Sequence, residues 1–378
     1  MPKHPLSPPR ETKPRHILFT GGGSAGHVTV NTALIPTLLD RGWKVSYIGS
    51  KNGIEKQLVS RLTGVDYYGI STGKLRRYID LENVKDPFRV VKGVFQAYRL
   101  IRGLKPDVLF SKGGFVSVPV VIGAWLNRVP VIIHESDLTP GLANRIAGPF
   151  AKRICITFAE TAKHIKGDKA VHVGPIIRNE LRNGSAWKGI KWCKFTPGKP
   201  VLLIMGGSLG SQRINETIRR NVAELTRTYQ IIHICGKGEL AASCEGIPGY
   251  RQYEYIHDEL ADALACTDLV ISRAGSNSIF EFLALCKPML LIPLSKEASR
   301  GDQILNAESF RQSGYCEVLQ EEELTDDVFL SRLARLYSDR DAIKDRMRQH
   351  GQEDAVSRLI ALIMKQGESA DDLKLIHS

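Results

Sequence analysis

From Arg15 onward, short apolar runs alternate with longer segments of helical period. The first run, His16 to Thr20, leads through a glycine turn into a helix reaching about Arg41, and Lys44 to Ile48 forms the next strand. Further strands are expected at Val108 to Phe110, Val129 to His134, Arg153 to Thr157 and Ala170 to Val173. Strands separated by helices predict a parallel sheet covered on both faces. Gly174-Pro175 closes this half, and Arg182 to Pro200 has the turn chemistry of a linker. The pattern restarts at Val201 to Met205, with strands at Gln230 to Ile234, Leu269 to Ser272 and Met289 to Pro293, and a helix from Ser276 to Leu285. Polar helices fill Asp326 to Met364, and the end is expected to fray. The chain is therefore α/β, with two Rossmann-like domains facing across a cleft. Residues 1–15 form a flexible basic tail, 16–174 the first domain, 175–199 a linker and 200–350 the second domain. Residues 351–378 form a C-terminal helix and tail placed to pack back on the first domain.

Composition supports two real cores: 378 residues, 43% of them hydrophobic. The seven cysteines are scattered without any C-x-x-C pair, which argues against a disulfide framework or a zinc ribbon. No apolar run approaches the ~20 residues of a membrane-spanning helix, and no segment reads as a signal peptide. The net charge of +12 calls for an acidic partner. Nine basic residues fall between Gly73 and Lys105 against three acidic ones. There, Asp86-Pro87 starts a helix on which Val91, Val94, Phe95, Tyr98 and Ile101 recur at helical spacing, with Arg89, Lys92, Arg99 and Arg102 mostly elsewhere. Such a helix lies on an anionic membrane or packs its stripe on the sheet. Nucleic acid is not expected, because no aromatic-rich basic strand or recognition helix accompanies the charge.

Candidate chemistry sits in the turns. Gly21-Gly22-Gly23-Ser24-Ala25-Gly26-His27 and Gly206-Gly207-Ser208-Leu209-Gly210-Ser211 each follow a strand and open a helix, where free backbone N–H groups favour an anion. The first contains G-x-G-x-x-G, the dinucleotide fingerprint, but the second strand ends Tyr47-Ile48-Gly49-Ser50-Lys51, without the acidic residue a ribose would need. His27, at the mouth of the cleft, is a candidate general base; a helix-capping role is the alternative. A third turn, Ser272 to Ser278, precedes a helix carrying Glu281, and Ser299-Arg300-Gly301-Asp302-Gln303 opens the next. No D-x-D metal motif stands out; Asp339-Arg340-Asp341 reads as a solvated helix face.

Seven ordered motifs carry a resemblance: Gly21 to His27, Lys112-Gly113-Gly114-Phe115, His134-Glu135-Ser136-Asp137, Gly174 to Arg178, Gly206 to Gly210, Arg273 to Ser278 with Glu281, and Ser299 to Gln303. Together they resemble the MurG-type N-acetylglucosaminyltransferases of peptidoglycan synthesis, within the two-Rossmann-domain GT-B class. The resemblance implies an inverting transfer of N-acetylglucosamine from UDP-N-acetylglucosamine to a lipid-linked muramoyl-pentapeptide, at the cytoplasmic face of an anionic membrane, with no cofactor. It implies Ile256 at the uracil, Glu281 at the ribose, and Ser208 with Arg178 at the diphosphate. Ser276, Asn277 and Gln303 would line the sugar and phosphate path, and Ser24, Ala25, Gly26 and His27 would face the acceptor. Family members often carry His-Glu-Gln-Asn where this chain has His-Glu-Ser-Asp; Asp137 replaces an amide by a carboxylate and becomes an alternative base or a sugar contact. A transferase with another lipid or natural-product acceptor, a UDP-sugar epimerase, and a non-catalytic UDP-sugar-binding regulator are the competing functions.

Overall fold

A computed structural model describes residues 14–24, 26–73, 86–207, 210–297, 299–351 and 354–367. The expected tail up to residue 13, Ala25, the basic positions Lys74, Arg76, Arg77 and Lys85, Ser208, and the end beyond 367 lie outside the described residues.

The first unit runs β1 (His16–Thr20), α1 (Gly26–Asp40), β2 (Lys44–Ser50), α2 (Ile54–Val59), β3 (Val65–Ile70), α3 (Asp86–Leu104), β4 (Val108–Ser111), α4 (Ser117–Leu126), β5 (Val131–Glu135), α5 (Leu142–Ala147), β6 (Arg153–Ile156) and β7 (Ala170–His172). After α6 (Ala186–Cys193) the second unit runs β8 (Val201–Met205), α7 (Gln212–Arg220), α8 (Val222–Thr228), β9 (Gln230–Ile234), β10 (Tyr250–Tyr253), α9 (Leu260–Cys266), β11 (Leu269–Ser272), α10 (Ser276–Ala284), β12 (Met289–Leu291), α11 (Asp302–Gln312) and β13 (Cys316–Val318). Two helices end the chain, α12 (Asp326–Gln349) and α13 (Ala355–Gln366).

Among the described residues the strands form two parallel sheets, ordered β3-β2-β1-β4-β5-β6-β7 and β10-β9-β8-β11-β12-β13. Both orders reverse direction once, between β1 and β4 and between β8 and β11. The crevice outside the strand ends at such a reversal is where open α/β sheets bind ligands. Each glycine turn follows a strand at one of these points: Gly21–His27 follows β1, Gly113-Gly114 follows β4, Gly206–Ser211 follows β8, and Gly275 follows β11.

Three features of the packing bear on the sequence expectation. The expected linker contains α6, whose Cys193, with Phe195 after it, is buried in the second core; Gly189 packs so tightly on α9 that a Cβ would meet the Asp262 carbonyl at 2.3 Å. Second, α13 belongs spatially to the first domain: Ala355, Leu359, Ile360 and Ile363 share a core with Ile17, Val28, Leu34 and Tyr47. Third, the stripe on α3 divides. Ala97 and Ile101 are buried, whereas Phe88, Val91 and Phe95 are 76%, 69% and 59% exposed. Phe158, after β6, is the reciprocal contact: its ring lies in the second core, 4.9 Å from Phe280 and 6.3 Å from Phe310. Behind it, Gly174, Pro175, Gln349, His350 and Gly351 line one cavity of about 580 Å³ between the domains.

Candidate active site

The front of the seam holds a second cavity of about 310 Å³, bounded by the first glycine turn, the turn after β4, the segment after β5 and the start of α11. The first two turns press together there. Gly114 has φ +82°, and a Cβ on it would meet the Gly22 carbonyl oxygen at 2.1 Å, so only glycine permits the approach. Beneath them, the buried Glu55 accepts from Gly23 N–H at 3.3 Å and Ser50 N–H at 2.9 Å. A carboxylate of the chain itself therefore already answers part of the first turn's anion-favouring backbone.

His27 sits in the first turn of α1 with its side chain half-buried and its Nδ1 buried without a hydrogen-bond partner. Burial lowers its imidazole to about 4, and the Lys112 ammonium adds to this against the Lys112 carbonyl, which raises it. The ring is neutral at physiological pH and free to accept a proton. Ser24 lines the same cavity.

The end of β5 supplies two carboxylates. Glu135 accepts from Asp137 N–H at 3.0 Å, Gly141 N–H at 2.9 Å and Asn144 Nδ2 at 2.9 Å. Burial raises it, as does the charge of Asp137, against Lys112 and these donors. Asp137 is also raised by burial, and Asp302 adds to this; the Asn306 bond and Lys112 oppose. His134 is fully buried with neither ring nitrogen partnered, and burial holds it well below the usual histidine range. It packs near Phe110 and is a core residue.

Across the seam, the second domain grips this segment. Ser276 Oγ donates to Ser136 C=O at 2.6 Å, and Asn277 Nδ2 donates to Gly26 C=O at 2.9 Å. Asn306 Nδ2 donates to Asp137 Oδ1 at 3.0 Å while its Oδ1 accepts from Leu138 N–H at 3.1 Å, and Thr139 Oγ1 donates to Asp302 at 2.9 Å. The structure thus brings Ser24, Gly26, His27, Asp137, Ser276 and Asn277 to one seam.

Five residues assigned from the sequence have close neighbours within the chain itself. Arg178 and Glu281, assigned by the resemblance to diphosphate and ribose, bind each other through two bonds of 2.7 and 2.9 Å. This fork-to-carboxylate pair gives the buried Glu281 carboxylate a charged partner. Gln303 accepts from Leu294 N–H at 3.1 Å, fixing the loop before α11. Ile256 is buried in the second core. Asp137 is neither a lone base nor open to a sugar on every side, because Asn306 occupies one of its oxygens.

Sequence reasoning gave no role to Lys112, Glu135, Asn306 or Glu55. Asn306 had a signal: it lies three and four residues beyond Gln303 and Asp302, and so on one face of the helix they open. The second glycine turn ends in Ser211, whose Oγ caps α7 by accepting from Ile214 N–H at 3.4 Å and also accepts from Arg273 at 2.7 Å.

Comparison with known proteins agrees with this fold. Residues 17–156 match the glycosyltransferase family 28 N-terminal domain and residues 201–359 its C-terminal domain. The chain is 59% identical over 349 residues, 92% of its length and 98% of the relative's, to a UDP-N-acetylglucosamine–N-acetylmuramyl-(pentapeptide) pyrophosphoryl-undecaprenol N-acetylglucosamine transferase of Geobacillus thermodenitrificans. Among solved structures it is similar to Acinetobacter baumannii MurG, with a TM-score of 0.73 and 25% identity over 93% of this chain and all of that one. The fold also matches the glycosyltransferase of kitacinnamycin, with a TM-score of 0.71 at 19% identity over 94% of this chain and all of that one. With both domains matched in order and a relative this similar over nearly its whole length, the chain belongs to glycosyltransferase family 28, as a two-Rossmann-domain GT-B enzyme of the MurG type.

Proposed function

We propose that this enzyme moves N-acetylglucosamine from UDP-N-acetylglucosamine to the muramoyl-pentapeptide of lipid I, forming lipid II in peptidoglycan synthesis. The observation that carries the mechanism is the position of His27, which lines a cavity bounded by both domains with its Nδ1 buried and without a hydrogen-bond partner. The acceptor hydroxyl oxygen attacks the anomeric carbon from the face opposite the phosphate. As that bond forms, the carbon–oxygen bond to the diphosphate breaks, UDP leaves with the electron pair, and the hydroxyl proton passes to His27. Configuration at the sugar carbon inverts. Negative charge develops on the departing diphosphate, where the N-terminus of α10 and Arg178 stabilise it. For Arg178 to do so its pair with Glu281 opens, freeing Glu281 for the ribose at the same moment. Ser208 joins the diphosphate, Ile256 the uracil, and Ser276, Asn277 and Gln303 the sugar path; Ala25 and Gly26 face the acceptor with Ser24.

The acceptor's lipid places the enzyme on the cytoplasmic face of an anionic membrane, as a peripheral protein. No helix of the described residues is long and apolar enough to cross one. What supports the surface contact is α3, where exposed Phe88, Val91 and Phe95 run beside Lys92, Arg99 and Arg102, with Arg99 lying over the Phe95 ring at 5.8 Å. The deciding experiment is release of UDP from UDP-N-acetylglucosamine with and without a lipid-linked muramoyl acceptor. Acceptor-dependent release is expected; donor binding without release would instead support a regulator.

A further inference from the structure

Asn306, on α11 of the second domain, is fully buried, and both ends of its side-chain amide are occupied. Its Oδ1 accepts from Leu138 N–H at 3.1 Å, and its Nδ2 donates to Ala274 C=O at 3.2 Å and to Asp137 Oδ1 at 3.0 Å. These partners fix which end of the amide faces Asp137. Turned over, its oxygen would meet a carbonyl and a carboxylate, and its NH₂ group would meet an N–H. One side chain thus joins the turn after β11, which leads into Ser276 and Asn277, to the strip of chain after β5. That strip is also held on either side of Asp137, at Ser136 C=O by Ser276 and at Thr139 by Asp302. Asp137 lines the front cavity, whereas Asn306 stands behind it and is not part of the lining.

With Oδ1 held by Asn306, the oxygen of Asp137 left for a ligand is Oδ2. A sugar hydroxyl both donates and accepts, so it is a partner for that oxygen whether the carboxyl is ionised or protonated. We propose that Asn306 is a positioning residue for the donor sugar: it fixes the Asp137 carboxyl from behind, so that Oδ2 meets a hydroxyl of N-acetylglucosamine, and does not touch the sugar itself. This role rests on the front cavity taking the sugar of UDP-N-acetylglucosamine. Without the amide, Asp137 would be free to turn among its rotamers and a buried carboxyl oxygen would lose its donor. The loss would therefore follow the sugar rather than the nucleotide, and would vanish where Asp137 is already gone.

The test compares binding of UDP-N-acetylglucosamine with binding of UDP, both by titration calorimetry, in wild type, Asn306→Leu, Asp137→Ala and the double variant. In Asn306→Leu, affinity for the sugar nucleotide should fall about tenfold or more, as for a lost hydrogen bond to a charged group, with UDP affinity unchanged. Because Asn306 acts through Asp137, the double variant should bind no more weakly than Asp137→Ala alone. Losses that multiply in the double variant, or a fall shared equally by UDP, overturn the role. Where Asn306→Leu does not fold, the exchanged pair decides. Asn306→Asp keeps the acceptor for Leu138 N–H but sets two carboxyl groups together, and should weaken sugar-nucleotide binding. Adding Asp137→Asn puts an N–H back between them, leaves an amide oxygen for the sugar hydroxyl, and should recover most of that loss; no recovery overturns the proposal. A wild type that shows no acceptor-dependent UDP release overturns the transferase function instead, and the two affinities still decide Asn306.

Discussion

A histidine that accepts a proton at neutral pH has to be neutral before the reaction begins, and burial lowers His27, the proposed base, to about 4. General-base catalysis contributes about 10²- to 10⁴-fold. His27→Ala should therefore lower kcat by about a hundredfold or more, with UDP affinity, read by titration calorimetry, unchanged because the proposed donor contacts lie in the other domain. The sign of the pH dependence follows from the depressed value. A group held at about 4 is still unprotonated as pH falls through 6.5, so kcat/KM should stay level there and decline only toward the lower value. An acid limb centred near 6.5 would mean a water-exposed imidazole and would count against the buried base. Single residues were partly legible in the chain. Ser24, His27, Ser276 and Asn277 lie in turns that announce a site. The Lys112–Ser136 and Asn306–Asp137 contacts join residues 24 and 169 positions apart, and the spacing of Asn306 from Asp302 and Gln303 marks its helix face but not its partner.

Among elements, the central strands were readable and the margins were not. Val201–Met205, Gln230–Ile234 and Leu269–Ser272 are buried runs inside a sheet, and their apolar sequences show it. The strands without a signal were Val65–Ile70, Tyr250–Tyr253 and Cys316–Val318, which are three of the four sheet edges. An edge strand is half-solvated and carries residues such as Asp66, Arg251 and Gln252, so its pattern dissolves into that of a loop. Helix α3 shows the complementary ambiguity, since a stripe at helical spacing marks a face without saying what meets it. Because Phe88 and Phe95 project outward, Phe88→Ser with Phe95→Ser should leave the thermal midpoint within a degree or two. Binding to vesicles containing anionic phosphatidylglycerol should fall at least about tenfold, since each buried aromatic is worth roughly 1.5–3 kcal/mol. Sedimentation with the vesicles reads this directly, and unchanged binding would remove α3 from the membrane contact.

At the scale of the whole molecule, the two domains exchange parts. Phe158 belongs to the first by sequence and to the second core by packing, and α13 does the reverse. Leu359→Ala should therefore destabilise the first domain, by about 2–5 kcal/mol as for other buried leucines. Trp43 is a built-in reporter: it is buried in that core, and a Cβ on Gly367, just past α13, would lie 3.0 Å from its ring. Its fluorescence transition in urea should move to lower concentration in the variant. A transition unmoved there, with a shift confined to probes in the second domain, would show that α13 stabilises the second domain instead.

The return of α13 also changes what kind of joint the cleft has. The chain passes from the first domain to the second at Gly174-Pro175 and comes back between Gln349 and Ala355, and the residues of both passages line the same rear cavity. Two covalent tethers side by side restrain sliding and twisting of one domain against the other more than a single linker would. A cut at either tether alone would leave the halves still attached.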